Sequence, residues 1–427
     1  MSERMTDLQS FNAAPGMDPA EIDRVNRAFY GRFNYPWRPM VLPELTDPTV
    51  MPRLVAQEAG FFDIQPIPPD GRIWVAGCGT NQAVLTALRF PGAQVLGTDI
   101  STRSLEVSAQ IALEIGLTNL RLEEASLNTL QHRAAFDHVI CTGVIHHNAN
   151  PEIPLATLAQ ALKPGGVMEM MVYNIYHRTQ TTAYQKAIRL LSGATGQGGL
   201  IETELAMTAE LVADFDLPGS MAAFLARQRD LPEPAVADSL LQPVEFSYTV
   251  QTLADMVGRA GLTLWQPCVN QFDRLSGSFN WDLPLPPGKA LHAFNALPDL
   301  QRWQAANLLM LERAPMLWFY LGHGPARSSR AMVNQSFLDT TFTRLQSPLR
   351  NHVLGPDGQY SLSPRVAQLP APALPADPAA RAVFEKIDGE RQMHTILAEA
   401  GLPQDQATLT RLRVLLTTPA FPYLVAS

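Results

Sequence analysis

Apolar runs and amphipathic stretches alternate regularly between Arg72 and Tyr173. Residues 73–76 form a short apolar run that closes on glycines, and residues 81–90 follow with helical spacing. A second run, 93–98, ends at Asp99, and a helical pattern over 103–115 is stopped by Gly116. Residues 120–123 and 136–142 read as strands, 153–162 as a helix stopped by Lys163-Pro164-Gly165-Gly166, and 167–173 as a further strand. Strands that alternate with helices of this length predict parallel βαβ units, hence an α/β fold.

The flanks differ from this centre. Residues 18–30 predict a helix with Asp18 as N-cap and Pro19 at the first helical position. The aromatic stretch after it carries Pro36 and Pro39, which forbid a regular helix there. After Tyr173 the alternation stops. Residues 181–239 are mostly helical, broken by glycines at 193–199 and prolines at 218, 232 and 234, and read as an insertion. Residues 250–260 and 300–312 read as helices, and 262–266 and 316–321 as strands that return to the sheet. Beyond Gly324 a proline-rich stretch, 361–377, suggests a linker or covering arm, and 377–427 predicts two or three short helices.

Composition narrows the class. The 427 residues are 46% hydrophobic and only 17% charged, a globular profile rather than a disordered one. The formal charge is -8 and there is no basic run, so nucleic acid is not an expected partner. The three cysteines, Cys78, Cys141 and Cys268, form no CxxC pair and suggest neither zinc nor disulfides. The nine histidines show no ligand-like spacing, so no metal is expected. With no apolar signal core and no membrane-length apolar stretch, a cytoplasmic protein with no membrane partner is expected.

The candidate chemistry begins at Val75-Ala76-Gly77-Cys78-Gly79-Thr80. Glycines at a strand-to-helix turn let backbone N–H groups approach a ligand at a helix N-terminus. Asp99, at the end of the next strand, is placed to accept both hydroxyls of a ribose. A dinucleotide loop needs a third glycine where this chain has Gln82. The later strand runs into Thr142-Gly143-Val144-Ile145-His146-His147, followed by a helix and Leu162-Lys163-Pro164-Gly165-Gly166.

Taken together and in order, these motifs over residues 72–178 resemble the class I S-adenosylmethionine-dependent methyltransferases. Within that superfamily the wording is similar to bacterial methyltransferases often fused to tetratricopeptide repeats, although no such repeats are visible here. Tyr35-Pro36-Trp37 and Leu241-Gln242-Pro243-Val244-Glu245 extend the likeness to about residues 28–323. The resemblance implies a Rossmann-like seven-stranded sheet with helices on both faces. It divides the chain into an N-terminal helical and aromatic lid (1–70), a methyltransferase domain (71–323, with a helical insertion at about 178–242) and a small, mainly helical extension (324–427), weakly like a winged helix.

The resemblance also implies roles. S-adenosylmethionine is the cofactor and S-adenosylhomocysteine its product. Gly77, Cys78 and Gly79 line the methionine part, Asp99 holds the ribose, Ile100 meets the adenine, and Ala125-Ser126-Leu127 flank its rim. Many relatives carry Asp at the position of Ser126, so here that contact is missing or made by a neighbour. Thr142 and Gly143 close the floor under the sulfonium, and Tyr35 and Trp37 belong to the lid, whose aromatic faces suit a sulfonium. Arg32 or Arg38 could meet the cofactor carboxylate.

Methyl transfer needs alignment and exclusion of water, and a hydroxyl nucleophile also needs a base. His146 and His147 are candidates for that base, with Tyr173 beside them. Tyr30, Arg32, Asn174, Tyr176, His177 and Arg178 are candidates for acceptor binding; the alternative for each is plain packing. The Met, Leu and Phe content of residues 205–225 suits an apolar acceptor or a packed helical core. The expected activity is methylation of an O or N atom of a small molecule in specialised metabolism. The rivals are a protein or peptide methyltransferase that recognises its partner through the C-terminal extension, and a non-catalytic cofactor-binding regulator. Oligomeric state is not legible.

Overall fold

Trp74, Val75 and Ala76 are completely buried, and their run is a central strand of the fold. The computed structural model describes residues 18–33, 38–193, 201–269, 281–283, 285–324, 329–369 and 377–427. Its strands are β1 (Val41–Leu45), β2 (Arg72–Ala76), β3 (Gln94–Asp99), β4 (Leu120–Glu124), β5 (Phe136–Thr142) and β6 (Leu162–Tyr173), then β7 (Leu262–Pro267), β8 (Met316–His323), β9 (Phe342–Arg344), β10 (Ser347–Leu354), β11 (Tyr360–Leu362), β12 (Ala367–Leu369), β13 (Phe421–Pro422) and β14 (Leu424–Ala426). The helices used below are α1 (Pro19–Arg32), α2 (Val50–Glu58), α3 (Gln82–Arg89), α4 (Thr102–Ile115), α5 (Glu152–Ala161), α6 (Ile175–Ser192), α7 (Ile201–Asp214), α8 (Ser220–Ala226), α9 (Glu233–Leu240) and α10 (Val250–Arg259).

A seven-stranded sheet runs in the order β4-β3-β2-β5-β6-β8-β7. β2 to β6 pair in parallel, as the βαβ pattern predicts, and β8 is antiparallel to both β6 and β7. This is the expected Rossmann-like α/β architecture.

Period-two alternation assigns the side chains to two faces. Met168, Met170 and Val172 of β6 enter a core with Leu155 and Leu158 of α5, Leu253 and Val257 of α10, and Trp303. On the opposite face Ile73, Val75, Ile140 and Val167 pack with Leu54 of α2 and Ala83 of α3. Glu169, Met171 and Tyr173 alternate with the first set and share this second face, where the chemistry lies.

Two boundaries differ from the sequence reading. Lys163-Pro164-Gly165-Gly166 does not precede β6 but lies inside it. Leu162 already pairs with Phe136, and the register slips between Phe136 and His138, with Gly165 at φ +82. α6 starts at Ile175, because Asn174 accepts the Tyr176 N–H as an N-cap; Gly193, at φ +70, ends it. Tyr176, His177 and Arg178 therefore stand on a first helical turn rather than on a loop.

In the insertion, Tyr184 and Ile188 of α6 pack with Leu205, Leu211 and Val212 of α7, Leu225 of α8 and Leu240 of α9. Most of the apolar residues of 205–225 are thus a packed helical core, with Leu217 exposed.

The ends of the chain meet. β1 pairs antiparallel with β10, from Val41 opposite Val353 to Leu45 opposite Leu349. Three short helices, Pro378–Lys386, Met393–Glu399 and Gln406–Thr417, pack with Phe337 and Phe342. Gln57 of α2 ties this unit to the sheet domain: its side-chain amide donates to the Thr417 and Leu424 carbonyls and accepts the Ala426 N–H. Among the described residues no helix is long and apolar enough to cross a membrane.

Candidate active site

The glycine loop is tied to the neighbouring strand before any ligand is considered. The Thr98 carbonyl accepts from both Gly77 N–H (2.8 Å) and Cys78 N–H (2.9 Å). Gly77 has φ +72, and a Cβ there would lie 2.4 Å from Val144 Cγ2, so a side chain is excluded by both conformation and space. Gly79 is likewise left-handed, at φ +54. Cys78 is buried, and burial pushes its thiol pKa well up, so it sits there as a small apolar residue.

Asp99 closes this loop. One carboxylate oxygen accepts the Gly79 N–H and the other the Ser101 N–H, each at 2.8 Å. Each oxygen retains a lone pair for a further donor. Burial nevertheless raises the Asp99 pKa, against the pull of those N–H groups. Gln82, read from sequence as the lost third glycine, has its own place: its side-chain amide donates to Thr142 Oγ1 at 2.6 Å and joins the loop to the end of β5.

These residues line one cavity of about 1040 Å³. Gly77, Cys78, Gly79, Asp99, Ile100, Ala125, Ser126, Leu127, Thr142 and Gly143 all border it, as do Tyr30, His147, Tyr173, His177 and Arg178. Tyr35 and Trp37 lie outside the described residues.

The remaining candidates stand apart. Arg32 pairs with Glu202 on the surface. Asn174 is completely buried and donates to the Ala314 carbonyl at 2.5 Å, while Asn307 donates to it at 3.1 Å. Tyr176 does not border the cavity, and neither does His146.

The two histidines separate clearly. His146 is completely buried, and neither ring nitrogen has a hydrogen-bond partner. Burial holds its pKa far below the usual value, so it is neutral, packed 4.1 Å from the Tyr173 ring between centroids. His147 Nδ1 lies 2.8 Å from the Val244 carbonyl, which can only accept. Nδ1 therefore carries the proton, and Nε2 is left as an acceptor. Burial also lowers the His147 pKa, opposed by the negative charges of Glu245 and Asp238.

Arg178 is committed to a buried partner: its Nε donates to Glu245 Oε1 at 2.7 Å, and its guanidinium stacks 4.5 Å above the Tyr173 ring. The helical insertion contributes Arg178 and Asp238 to the cavity wall, but not the apolar residues of α7 and α8.

Two further polar residues, Asp23 and Asn26, border the cavity from α1 and share one helix face with Tyr30. Asp23 accepts from Ser126 Oγ and, at 2.9 Å, from Asn128 Nδ2. A carboxylate thus reaches the rim position of Ser126 from a different element. Asn26 donates to the His147 carbonyl at 2.7 Å, and Gln242 donates to the Tyr30 hydroxyl at 2.9 Å. At the other end Glu58, Arg89, Glu169 and Tyr320 border the same cavity, together with Leu349, Leu369, Pro419 and Ala420 from the C-terminal unit. A lone Arg at the end of α3 carried no motif, and sequence reasoning missed it.

Residues 74–168 match a family model described as a methyltransferase domain. The chain is 30% identical over 271 residues to an uncharacterized protein of Synechococcus, covering 60% of each. It is 34% identical over 97 residues to a ubiquinone biosynthesis O-methyltransferase of Paracidovorax citrulli, covering 22% of this chain and 40% of that one. The chain therefore spans 60% or less of the length of these curated relatives. Among solved structures, PKMT2 from Rickettsia typhi shares the fold over 91% of this chain and 76% of its own, with a TM-score of 0.55 at 15% identity. The same protein in complex with AdoHcy matches at 0.55 and 14% identity, over 92% and 77%.

Proposed function

We propose that this chain, built around a methyltransferase domain, binds S-adenosylmethionine in the cavity and transfers its methyl group to an O or N atom of an acceptor, releasing S-adenosylhomocysteine. The observation that carries this reading is the junction of Gly77, Gly79 and Asp99 into one hydrogen-bonded unit on the cavity wall. The residues fit the cofactor. Gly77 holds the left-handed turn that keeps the loop backbone on the cavity wall, Asp99 keeps lone pairs for ribose hydroxyls, and Asp23 beside Ser126 offers the acceptor that an adenine amine needs. When bound, the cofactor supplies an electrophilic methyl on a sulfonium.

The chain's own residues would do the rest. Tyr30 lines the cavity and is the aromatic side chain there available to a cationic ligand, since the Tyr173 ring already carries the Arg178 guanidinium. α1 covers the cavity through Asn26 and Tyr30 and limits water. His147, neutral with Nε2 free to accept, is the base for a hydroxyl or protonated amine. His146, buried away from the cavity, supports the Tyr173 ring instead.

A small-molecule acceptor suits a cavity of this volume, and a place in specialised metabolism is part of this reading. The second reading, a protein or peptide acceptor, draws on Pro419 and Ala420, which bring the C-terminal unit to the cavity wall. Calorimetry tests the cofactor. S-adenosylmethionine and S-adenosylhomocysteine should both bind, and NAD should not; binding of NAD alone would sink the proposal. Removing residues 377–427 separates the acceptor readings only if the remainder stays folded, so Pro419→Glu is the cleaner probe. It should hinder a peptide acceptor and leave cofactor affinity unchanged.

A further inference from the structure

The cavity is longer than the methyl-donor site needs. It continues down the sheet face between α3 and β6/β8, past Met171 and Trp318, and ends at Glu58, Arg89, Glu169 and Tyr320. Arg89 is the last residue of α3, and Gln82, its first, touches Thr142 at the donor end. Seven helical steps separate the two, so Arg89 lies ~10 Å from the donor end along the helix axis.

Arg89 is unusual among the arginines of this chain. It is exposed, and it lines the cavity. It makes no ion pair and no hydrogen bond with any described residue. The surrounding protein removes part of the hydration of the guanidinium without giving it a hydrogen-bond partner, and this lowers its pKa.

Of the nearby carboxyls, Glu169 attracts Arg89 through space but forms no hydrogen bond or ion pair with it. Glu58 accepts the Val269 N–H and the Tyr320 O–H, both at 2.7 Å, and burial still pushes its pKa up to about 8. Glu169 accepts the Trp318 Nε1–H at 2.9 Å, and burial raises its pKa too. His138, 3.9 Å from Glu169, is buried with its pKa lowered to about 4, so it adds no positive charge. The inner end of the cavity thus holds one cation and two carboxyls that burial biases toward neutrality.

We infer that Arg89 is the anchor for a carboxylate on the acceptor, which places the acceptor among elongated organic acids whose methylated atom lies ~10 Å from the carboxylate. A carboxylate there would form the bidentate, charge-assisted contact that the guanidinium lacks. Met171, Ile140 and Trp318 would flank the apolar body between the two ends. This inference rests on the proposed function for the methylated end only; the anion site itself does not depend on it.

Octanoate, octylamine and 1-octanol, which share one chain and differ in head group, are suitable probes. Their binding to the full chain should be measured by calorimetry near neutral pH, with and without S-adenosylhomocysteine. Octanoate should bind tightest, by about tenfold or more, as expected of one charge-assisted contact. Arg89→Gln should abolish that preference, and Arg89→Lys should keep part of it. Unchanged S-adenosylhomocysteine affinity in both variants would show that they remain folded. Tightest binding of octylamine would make Glu58 and Glu169 the recognising groups and overturn the inference. So would equal or no binding of the three probes, or a carboxylate preference that survives Arg89→Gln. If octanoate binds as expected but S-adenosylhomocysteine does not, the proposed function fails and the anion site stands.

Discussion

Asp99 accepts the Gly79 N–H at 2.8 Å, so the strand-end carboxylate and the glycine loop are one structural unit. Either feature alone means only a nucleotide-like ligand. Joined, they fix where a ribose and the chain attached to it would lie.

Asp99→Ala should therefore lose both the ribose acceptor and the brace on the loop. The affinity for S-adenosylhomocysteine should fall by about tenfold to a hundredfold, the range for hydrogen bonds to a charged group. Asp99→Asn should also be damaging. Its oxygen can accept from only one side, so the amide N–H₂ must face either the Gly79 or the Ser101 N–H, donor against donor. Calorimetric titration of both variants checks this; unchanged affinity in Asp99→Ala removes Asp99 from the site.

Glu58 gives a pH dependence with a definite sign. Its folded-state pKa is about 8 against an ordinary 4.5, with burial as the cause. The folded protein therefore holds a proton that the unfolded chain releases in between. The contribution is fully present below the unfolded pKa and is lost as pH rises through the folded one, at up to ~1.4 kcal/mol per pH unit. Glu58→Gln keeps an acceptor for the Val269 N–H and cannot ionise. Urea denaturation should show wild-type stability falling between about pH 5 and about pH 8 relative to the variant. A parallel pH dependence in the two proteins would contradict the buried, neutral assignment.

Much of the sheet was legible because period-two and helical patterns alternate cleanly from Arg72 to Tyr173. That Gly77, Gly79 and Asp99 meet at one edge was legible for the same reason, since strand ends in parallel α/β sheets face a common edge; Ile100, Ala125, Ser126 and Leu127, which line the same cavity, came from the family resemblance alone. What stayed hidden depends on contacts between distant parts of the chain. Nothing local marks the pairing of Val41 with Val353, or the two backbone carbonyls that bind Gln57. Asp23 illustrates the intermediate case. Its spacing from Asn26 and Tyr30 marks one helix face, but only the packing of α1 shows that the face covers Ser126. Arg178 misled for a chemical reason. A basic residue at the ligand edge suggests an acceptor carboxylate, whereas Glu245, some seventy residues on, already fills that role.

That pair yields a stability test. Both members are buried, so removing one leaves an uncompensated charge. Arg178→Met should cost about 3–5 kcal/mol, while Arg178→Met combined with Glu245→Leu should recover much of the loss. Chemical denaturation of the two single variants and the double variant measures the coupling directly. Near-additive effects would free Arg178 for a role toward the acceptor.

The adjacent histidines should respond in opposite ways to the same replacement. His146 has two ring nitrogens without partners in a fully buried site, stacked against Tyr173. Phenylalanine has a similar ring and no polar atoms to leave unsatisfied. His146→Phe should therefore be neutral or stabilising by about 1 kcal/mol, with cofactor affinity unchanged. His147→Phe should be destabilising, because the Val244 carbonyl loses its Nδ1–H donor at 2.8 Å. Ring-nitrogen NMR of the wild type and the two variants assigns the His146 and His147 signals among the nine histidines by their loss. His147 should appear as the Nδ1–H tautomer and stay neutral to a pH below the ordinary 6.5, because burial lowers its pKa. It would then be competent to take a proton across the neutral range and lose that competence only in acid. An Nε2–H tautomer, or a pKa above the ordinary value, would remove His147 as the base and leave methyl transfer to a nucleophile that needs none.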